Sequence, residues 1–183
     1  GWEVFTWPVD ALGRIKLEAV DSMLAPPTRL VSVIWGQSEV GTVQPIKTIG
    51  RACRDRGIPF HTDATQVLSQ GLLDWASLTI DLLSASAHKL QGPKGIGLLL
   101  VRPEFLSSIQ PLQCGGGQEQ GLRAGTEPVA LVAGMATALE QMKKLESDFD
   151  QSKQNQVSMV KVMRDALQKN LLTIPGLYFT GDQ

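Results

Sequence analysis

An α/β fold, with a mostly parallel sheet sandwiched by helices, is the architecture this sequence predicts. Three observations carry it. Short apolar, often β-branched runs recur at Leu30–Trp35, Ile58–Thr62, Ile80–Ala85 and Ile96–Val101. Stretches with apolar residues at helical spacing separate or follow them, the alternation expected of strands joined by crossovers. Each of the first three runs ends in a cluster of polar side chains.

The elements follow in chain order. Glu3–Trp7 reads as a short strand and Asp10–Gly13 as a turn. Leu17, Val20, Met23 and Leu24 share a helical face, and Pro26-Pro27 ends that helix. Leu30–Trp35 is nearly continuous in apolar residues, as in a strand covered on both faces. Thr42–Arg56 reads as a helix. Pro45 sits near its first turn, where a missing N–H costs nothing. Ile46, Ile49 and Cys53 form its apolar stripe, and Arg51, Arg54 and Arg56 favour the negative end of its dipole. Gly57 is placed to stop it. Val67–Leu78 is open between loop and short helix. Gly92–Gly95 is a turn, and Pro103–Pro128 a loop rich in glycine. Val129–Leu145 and Gln151–Leu172 read as amphipathic helices, the second with Val157, Val160, Met163 and Leu167 in register. Tyr178–Thr180 is expected to begin a last strand.

Composition excludes several function classes. The chain has 183 residues, 43% hydrophobic and 19% charged, with a formal net charge of -1. Disorder needs lower hydrophobicity and a larger net charge. A near-zero charge and a pI of about 6.1 leave no basic footprint for nucleic acid. The longest apolar run, Ile96–Val101, is interrupted by Gly97 and is far short of a membrane span. Cys53 and Cys114 make neither a disulfide framework nor a metal set. They read as reduced thiols of an intracellular protein. Gly1–Trp7 shows no signal-peptide pattern, so the expected location is cytoplasmic. The chain starts without Met inside a strand-like run and is expected to be a fragment.

The polar clusters are Gln37/Ser38/Glu39, Asp63/Thr65/Gln66 and Ser86/His88/Lys89. In open α/β sheets ligands bind beyond the carboxyl ends of the strands, so parallel strands would aim all three clusters into one crevice. A lysine in a partly apolar pocket can lose its proton and attack a carbonyl. A carboxylate facing a pyridine nitrogen keeps it protonated and makes the ring an electron sink. Ser86 and His88 can hold a phosphate. Aldehyde, pyridine and phosphate together describe pyridoxal 5′-phosphate (PLP). Taken singly, Lys89 would be a solvated lysine, Asp63 a helix N-cap, and His61 and His88 structural histidines. No nucleotide loop competes: GxxxxGK[ST] is absent, and Leu100 stands where Gly95-Ile-Gly97 would need a third glycine.

Ser84-Ala-Ser-Ala-His-Lys-Leu-Gln-Gly-Pro-Lys-Gly-Ile-Gly97 resembles the cysteine desulfurases, class-V members of the fold-type I PLP enzymes. His61-Thr-Asp-Ala-Thr-Gln66 is similar to the family's ring-holding segment. Gly115 to Glu127 is similar to its glycine-rich segment at the dimer interface. The resemblance implies that Lys89 carries PLP as a Schiff base and moves protons at the substrate carbons. It implies Asp63 at the pyridine nitrogen, Gln66 at the phenolic oxygen, and Ser86 and His88 at the phosphate. Thr126 would reach the phosphate of a neighbouring subunit, which implies a homodimer. The implied reaction takes L-cysteine to L-alanine and leaves a persulfide on an enzyme cysteine. A sulfur-acceptor protein would pass that sulfur to iron–sulfur cluster or thio-cofactor synthesis. Selenocysteine lyases and other class-V enzymes share the pattern, and a non-catalytic scaffold is the reading from a different class.

The chain departs from that pattern at named positions. Gln37-Ser38-Glu39 stands where the family has Asn-Asn-Glu. Ser38 would meet the cofactor's phenolic oxygen and the substrate carboxylate without an amide's paired donor and acceptor. Cys114 stands where relatives often carry His, and neither it nor Cys53 is expected to accept sulfur. Residues 1–145 are expected to be the central part of the PLP-binding large domain, and 146–183 a connecting helix and the start of a small domain. Such a piece is expected to be inactive alone, because the family's persulfide cysteine and carboxylate-binding arginine belong downstream.

Overall fold

The computed structural model describes residues 1–71, 73–149 and 153–181. Its centre is a four-stranded sheet in the order β1 (Val31–Ile34), β2 (Phe60–Asp63), β3 (Leu82–Ser86) and β4 (Gly97–Val101). β1, β2 and β3 are parallel, and β4 runs antiparallel to β3. The antiparallel turn follows from the short connection. A tight 3-10 turn at Ala87–Leu90 and Gly92–Gly95 return the chain directly, with no room for a crossover helix.

Four helices accompany the sheet among the described residues: α1 (Val20–Met23), α2 (Ile46–Arg54), α3 (Val129–Phe149) and α4 (Lys153–Leu171). A 3-10 turn at Leu17–Ala19 leads into α1. The helix α2 is shorter than Thr42–Arg56 because tertiary bonds claim its expected start. Thr42 donates from Oγ1 to the Leu12 carbonyl at 2.6 Å, and Gln44 donates from its backbone N to Trp35 O at 2.7 Å. Gly57 adopts φ +64° after the helix and donates back to Arg54 O, as a C-terminal glycine should.

The core lies on one face of the sheet. Val31, Val33, Phe60, Leu83 and Ala85 point there, packed in one cluster with Ile46, Ile49 and Cys53 of α2. The helix α3 joins that cluster through Met135 and Ala138 and packs on the 87–90 turn. Pleat alternation sends Ser32, Ile34, His61, Asp63, Ser84 and Leu99 to the opposite face. There Ile34 is 53% and Leu99 52% exposed. The apolar run of β1 is therefore covered on one face only by the described residues.

Two expected strands do not form. Glu3–Trp7 is irregular, with a lone antiparallel bridge just beyond it between Val9 and Ile15. Tyr178–Thr180 is also irregular, and Tyr178 is exposed. Neither run has a paired strand to complete its backbone hydrogen bonds among the described residues. Val67–Leu78 resolves into 3-10 turns at Leu68–Gln70 and Trp75–Ser77. Met163 and Leu167 on α4 are exposed rather than packed. The Val157 and Val160 side chains lie outside the described residues.

Candidate active site

The register of the sheet brings two of the three polar clusters side by side. Asp63, the last residue of β2, pairs with Ile34 of β1 and Ser84 of β3. All three parallel strands therefore finish at the same edge. Beyond it come Thr65 and Gln66 from β2, and Ser86, His88 and Lys89 from β3 and its turn. The 3-10 segments at Leu68–Gln70 and Ala87–Leu90 pack on each other, which holds the two loops together.

Asp63 is half-buried, and its Oδ1 accepts from Thr65 N at 2.8 Å. That is an Asx turn, which fixes the carboxyl by its own backbone. Its Oδ2 takes no protein hydrogen bond among the described residues. Gln66 is likewise half-buried, and its amide has no hydrogen-bond partner among the described residues.

Ser86 is the N-cap of the 87–90 turn, yet its hydroxyl caps nothing. It sits 2.7 Å from His88 Nδ1 instead. With the proton on Nδ1 donated to Ser86 Oγ, the serine O–H is free to donate to an anion. Lys89 is exposed among the described residues and forms no ion pair there. The apolar wall that a reactive lysine needs is not supplied by the described residues. Gln91 then turns through φ +62° before Gly92. A Cβ on Gly92 would lie 3.0 Å from Ala87 O and 3.1 Å from its Cβ, so a larger residue would push this turn open by a few tenths of an ångström.

The remaining predicted residues, Ser38 and Thr126, are not hydrogen-bonded to this group among the described residues. Ser38 is exposed in the loop after β1, and its side chain makes no hydrogen bond among the described residues. That loop is closed by Gln37, whose Oε1 accepts from the backbone N–H groups of Glu39 and Val40. Thr126 is exposed on the segment before α3 and is not hydrogen-bonded to the cluster. A cavity of about 420 Å³ beside Asp81 and Arg102 lies at the other end of the strands and includes none of these residues. Arg102 there is spent on structure, donating to the carbonyls of Trp75, Leu78 and Ile80 and stacking on Trp75 at 4.8 Å.

One feature of this face escaped the sequence. His61 lies 2.7 Å from Ser32 Oγ through Nδ1 and 3.2 Å from Ser84 Oγ through Nε2. It thus ties β1, β2 and β3 together one row below Asp63. Burial pushes its pKa below the usual imidazole value of 6.5, against the upward pull of Asp63. Alternation on β2 placed His61 on the same face as Asp63. The serines became its partners only through strand order.

Residues 1–183 match the family described as Aminotransferase class-V. The chain is 45% identical over 173 residues to the mitochondrial cysteine desulfurase of Saccharomyces cerevisiae, covering 94% of this chain and 33% of that protein. It is 41% identical over 181 residues to the mitochondrial cysteine desulfurase of Candida albicans, covering 99% of this chain and 36% of that protein. The solved structure of SspA in complex with cysteine matches with a TM-score of 0.70 at 39% identity, over 82% of this chain and 44% of that chain. The chain thus spans about a third of the length of these two curated relatives. Their names overturn the expected cytoplasmic location, since both are mitochondrial. The residues Gly1–Trp7 carry no location information either way in a chain that spans about a third of these relatives. With a sheet edge of this chemistry and a match along its full length, the chain belongs to the class-V aminotransferase family.

Proposed function

We propose that this chain carries the central part of the active site of a mitochondrial, PLP-dependent cysteine desulfurase. One observation carries the reading: Asp63 of β2, Ser86 of the adjacent parallel β3, and His88 and Lys89 of the turn after β3 lie at one sheet edge. The donor set fits the cofactor. Lys89 offers an exposed amine for the aldehyde. Asp63 offers an unclaimed oxygen for a ring N–H, and Gln66 an unclaimed amide for the phenolic oxygen. Ser86 and His88 offer a hydrogen-bonded pair for the phosphate. PLP, when bound, supplies the electron sink that lets bonds at the substrate's carbons break.

The chain's own residues then have defined work. Asp63 keeps the ring nitrogen protonated by accepting its hydrogen bond. Ser86 and His88 would hold the phosphate. Lys89 takes and returns protons at its Nζ. Thr126, exposed on the segment before α3, is assigned to the phosphate of a second subunit in a homodimer. Residues 1–145 belong to the PLP-binding domain and 146–183 lead into a second domain. L-cysteine is the substrate, with L-alanine and a protein persulfide as products, the sulfur passing to an acceptor protein. Neither buried Cys53 nor Cys114 is the persulfide site. Ser38 favours one second reading, a class-V enzyme such as a selenocysteine lyase. Its lone hydroxyl cannot both donate to and accept from substrate as an amide does.

Incubation with PLP followed by borohydride tests the reading. Expected is a visible absorption band that borohydride bleaches, with the label on the peptide bearing Lys89, and no band in Lys89→Ala. Label spread evenly over the lysines would overturn it. Parallel assays of the full-length enzyme on L-cysteine and L-selenocysteine separate the two substrates.

A further inference from the structure

The open face of the sheet holds a hydrogen-bond chain that the reading above does not use. Ser84 stands directly opposite Asp63 in the β2–β3 ladder, so the two side chains leave the same face of neighbouring strands about 4.8 Å apart. A serine hydroxyl at that spacing is a ready donor to the carboxylate. The structure turns it elsewhere: Ser84 Oγ lies 3.2 Å from His61 Nε2. The other ring nitrogen, Nδ1, lies 2.7 Å from Ser32 Oγ. A neutral imidazole has one donor and one acceptor nitrogen. When Nδ1–H donates to Ser32, Nε2 accepts the Ser84 proton, and Asp63 Oδ2 keeps no donor among the described residues.

We propose that His61 is a positioning residue for Asp63: by accepting the Ser84 hydroxyl proton at Nε2, it keeps the outer carboxylate oxygen free for a cofactor ring nitrogen. This rests on the PLP reading of the site, but the hydrogen-bond arrangement can be examined without cofactor. His61 does this from the row below, anchored to β1 through Ser32, so it does not touch the cofactor. Asp63 is held at Oδ1 by Thr65 N and cannot swing away from Ser84 without breaking its turn. Removing the imidazole would release the Ser84 proton toward Oδ2, where it would compete with the ring N–H.

Two measurements test this. Nitrogen-15 NMR of the ligand-free protein should show His61 protonated at Nδ1 and bare at Nε2, and a proton on Nε2 would overturn the proposal. PLP titration followed by absorbance should show His61→Phe binding about tenfold more weakly, with Ser84→Ala within twofold of wild type. The double variant His61→Phe/Ser84→Ala should recover most of the loss, because the competing hydroxyl is gone. A merely structural role for His61 predicts no such recovery, and an unrecovered loss overturns the proposal. Should His61→Phe fail to fold, the tautomer measurement on wild type still decides. A wild-type protein that shows the Nδ1–H tautomer yet takes up no PLP at Lys89 refutes the functional reading and, with it, the role assigned to His61.

Discussion

Ser86 Oγ lies 2.7 Å from His88 Nδ1, so the last hydroxyl of β3 and the imidazole two residues on form one hydrogen-bonded pair. A serine at the N-cap of a turn ordinarily spends its hydroxyl on the turn's own N–H groups. Here no such bond forms, and the hydroxyl meets His88 instead.

That pairing predicts a shared loss. If the pair holds the cofactor phosphate as proposed, Ser86→Ala and His88→Ala would each remove a charge-assisted bond to it, about 1.5–3 kcal/mol. PLP retention should weaken roughly tenfold to a hundredfold in each. The double variant should lose little more than the worse single one, because the two side chains act as a unit. Absorbance titration with PLP measures all three; independent, additive losses would show that the pair does not act together.

The two thiols should differ sharply. Cys53 is buried against Ile49 and the strands, and burial with the nearby Asp81 charge pushes its pKa from 9.0 to about 11. Cys114 is exposed. A thiol reagent at pH 8 should label Cys114 within minutes and Cys53 only after unfolding. The same shift makes stability pH-dependent. The unfolded thiol loses its proton first, so stability is whole below about 9 and falls as pH rises toward about 11, by at most about 1.4 kcal/mol per unit. Urea unfolding of wild type and Cys53→Ala at pH 8 and 10.5 checks it, and parallel curves would refute the assignment.

Acid should weaken the fold through His61. Its folded pKa lies below 6.5, so the unfolded chain takes up a proton first as pH falls. Stability is therefore full above about 6.5 and declines below it, by at most about 1.4 kcal/mol per unit. His61→Gln keeps a polar bridge without a titrating ring and should flatten the decline. Urea midpoints at pH 7 and pH 5.5 read it directly.

Gly50 sits inside α2, where alanine ordinarily gains about 1 kcal/mol of helix stability. Here a Cβ would collide with the Thr79 backbone carbonyl and meet Thr79 Oγ1 at 2.7 Å. Overpacking of this kind costs about 1–3 kcal/mol. Gly50→Ala should thus destabilise the protein in urea unfolding, whereas Lys47→Ala on the exposed face should change stability by less than about 0.5 kcal/mol.

Much of the fold was legible because its signals are local. The four strand runs, the α2 stripe and the Gly57 stop all rest on spacing within about a dozen residues, and each appears within a few residues of its expected place. Leu17–Leu24 also forms helix, though its first turn is 3-10. The failures share one cause. Glu3–Trp7 and Tyr178–Thr180 have strand-like composition but no adjacent edge to pair with among the described residues. Strand formation is a contract between two segments, and a single segment cannot show whether the other is present.

Composition, periodicity and motif spacing alone determined the α/β class, the order of elements and the residue types gathered for amine, carboxyl and phosphate chemistry. Those are properties of each segment by itself. Only the tertiary structure decided that β4 turns back antiparallel, that one sheet face stays open, and that Ser84 faces Asp63 while giving its hydroxyl to His61. Those facts depend on which strands become neighbours and in what register. A one-residue slip in that register would send every one of these side chains to the other face.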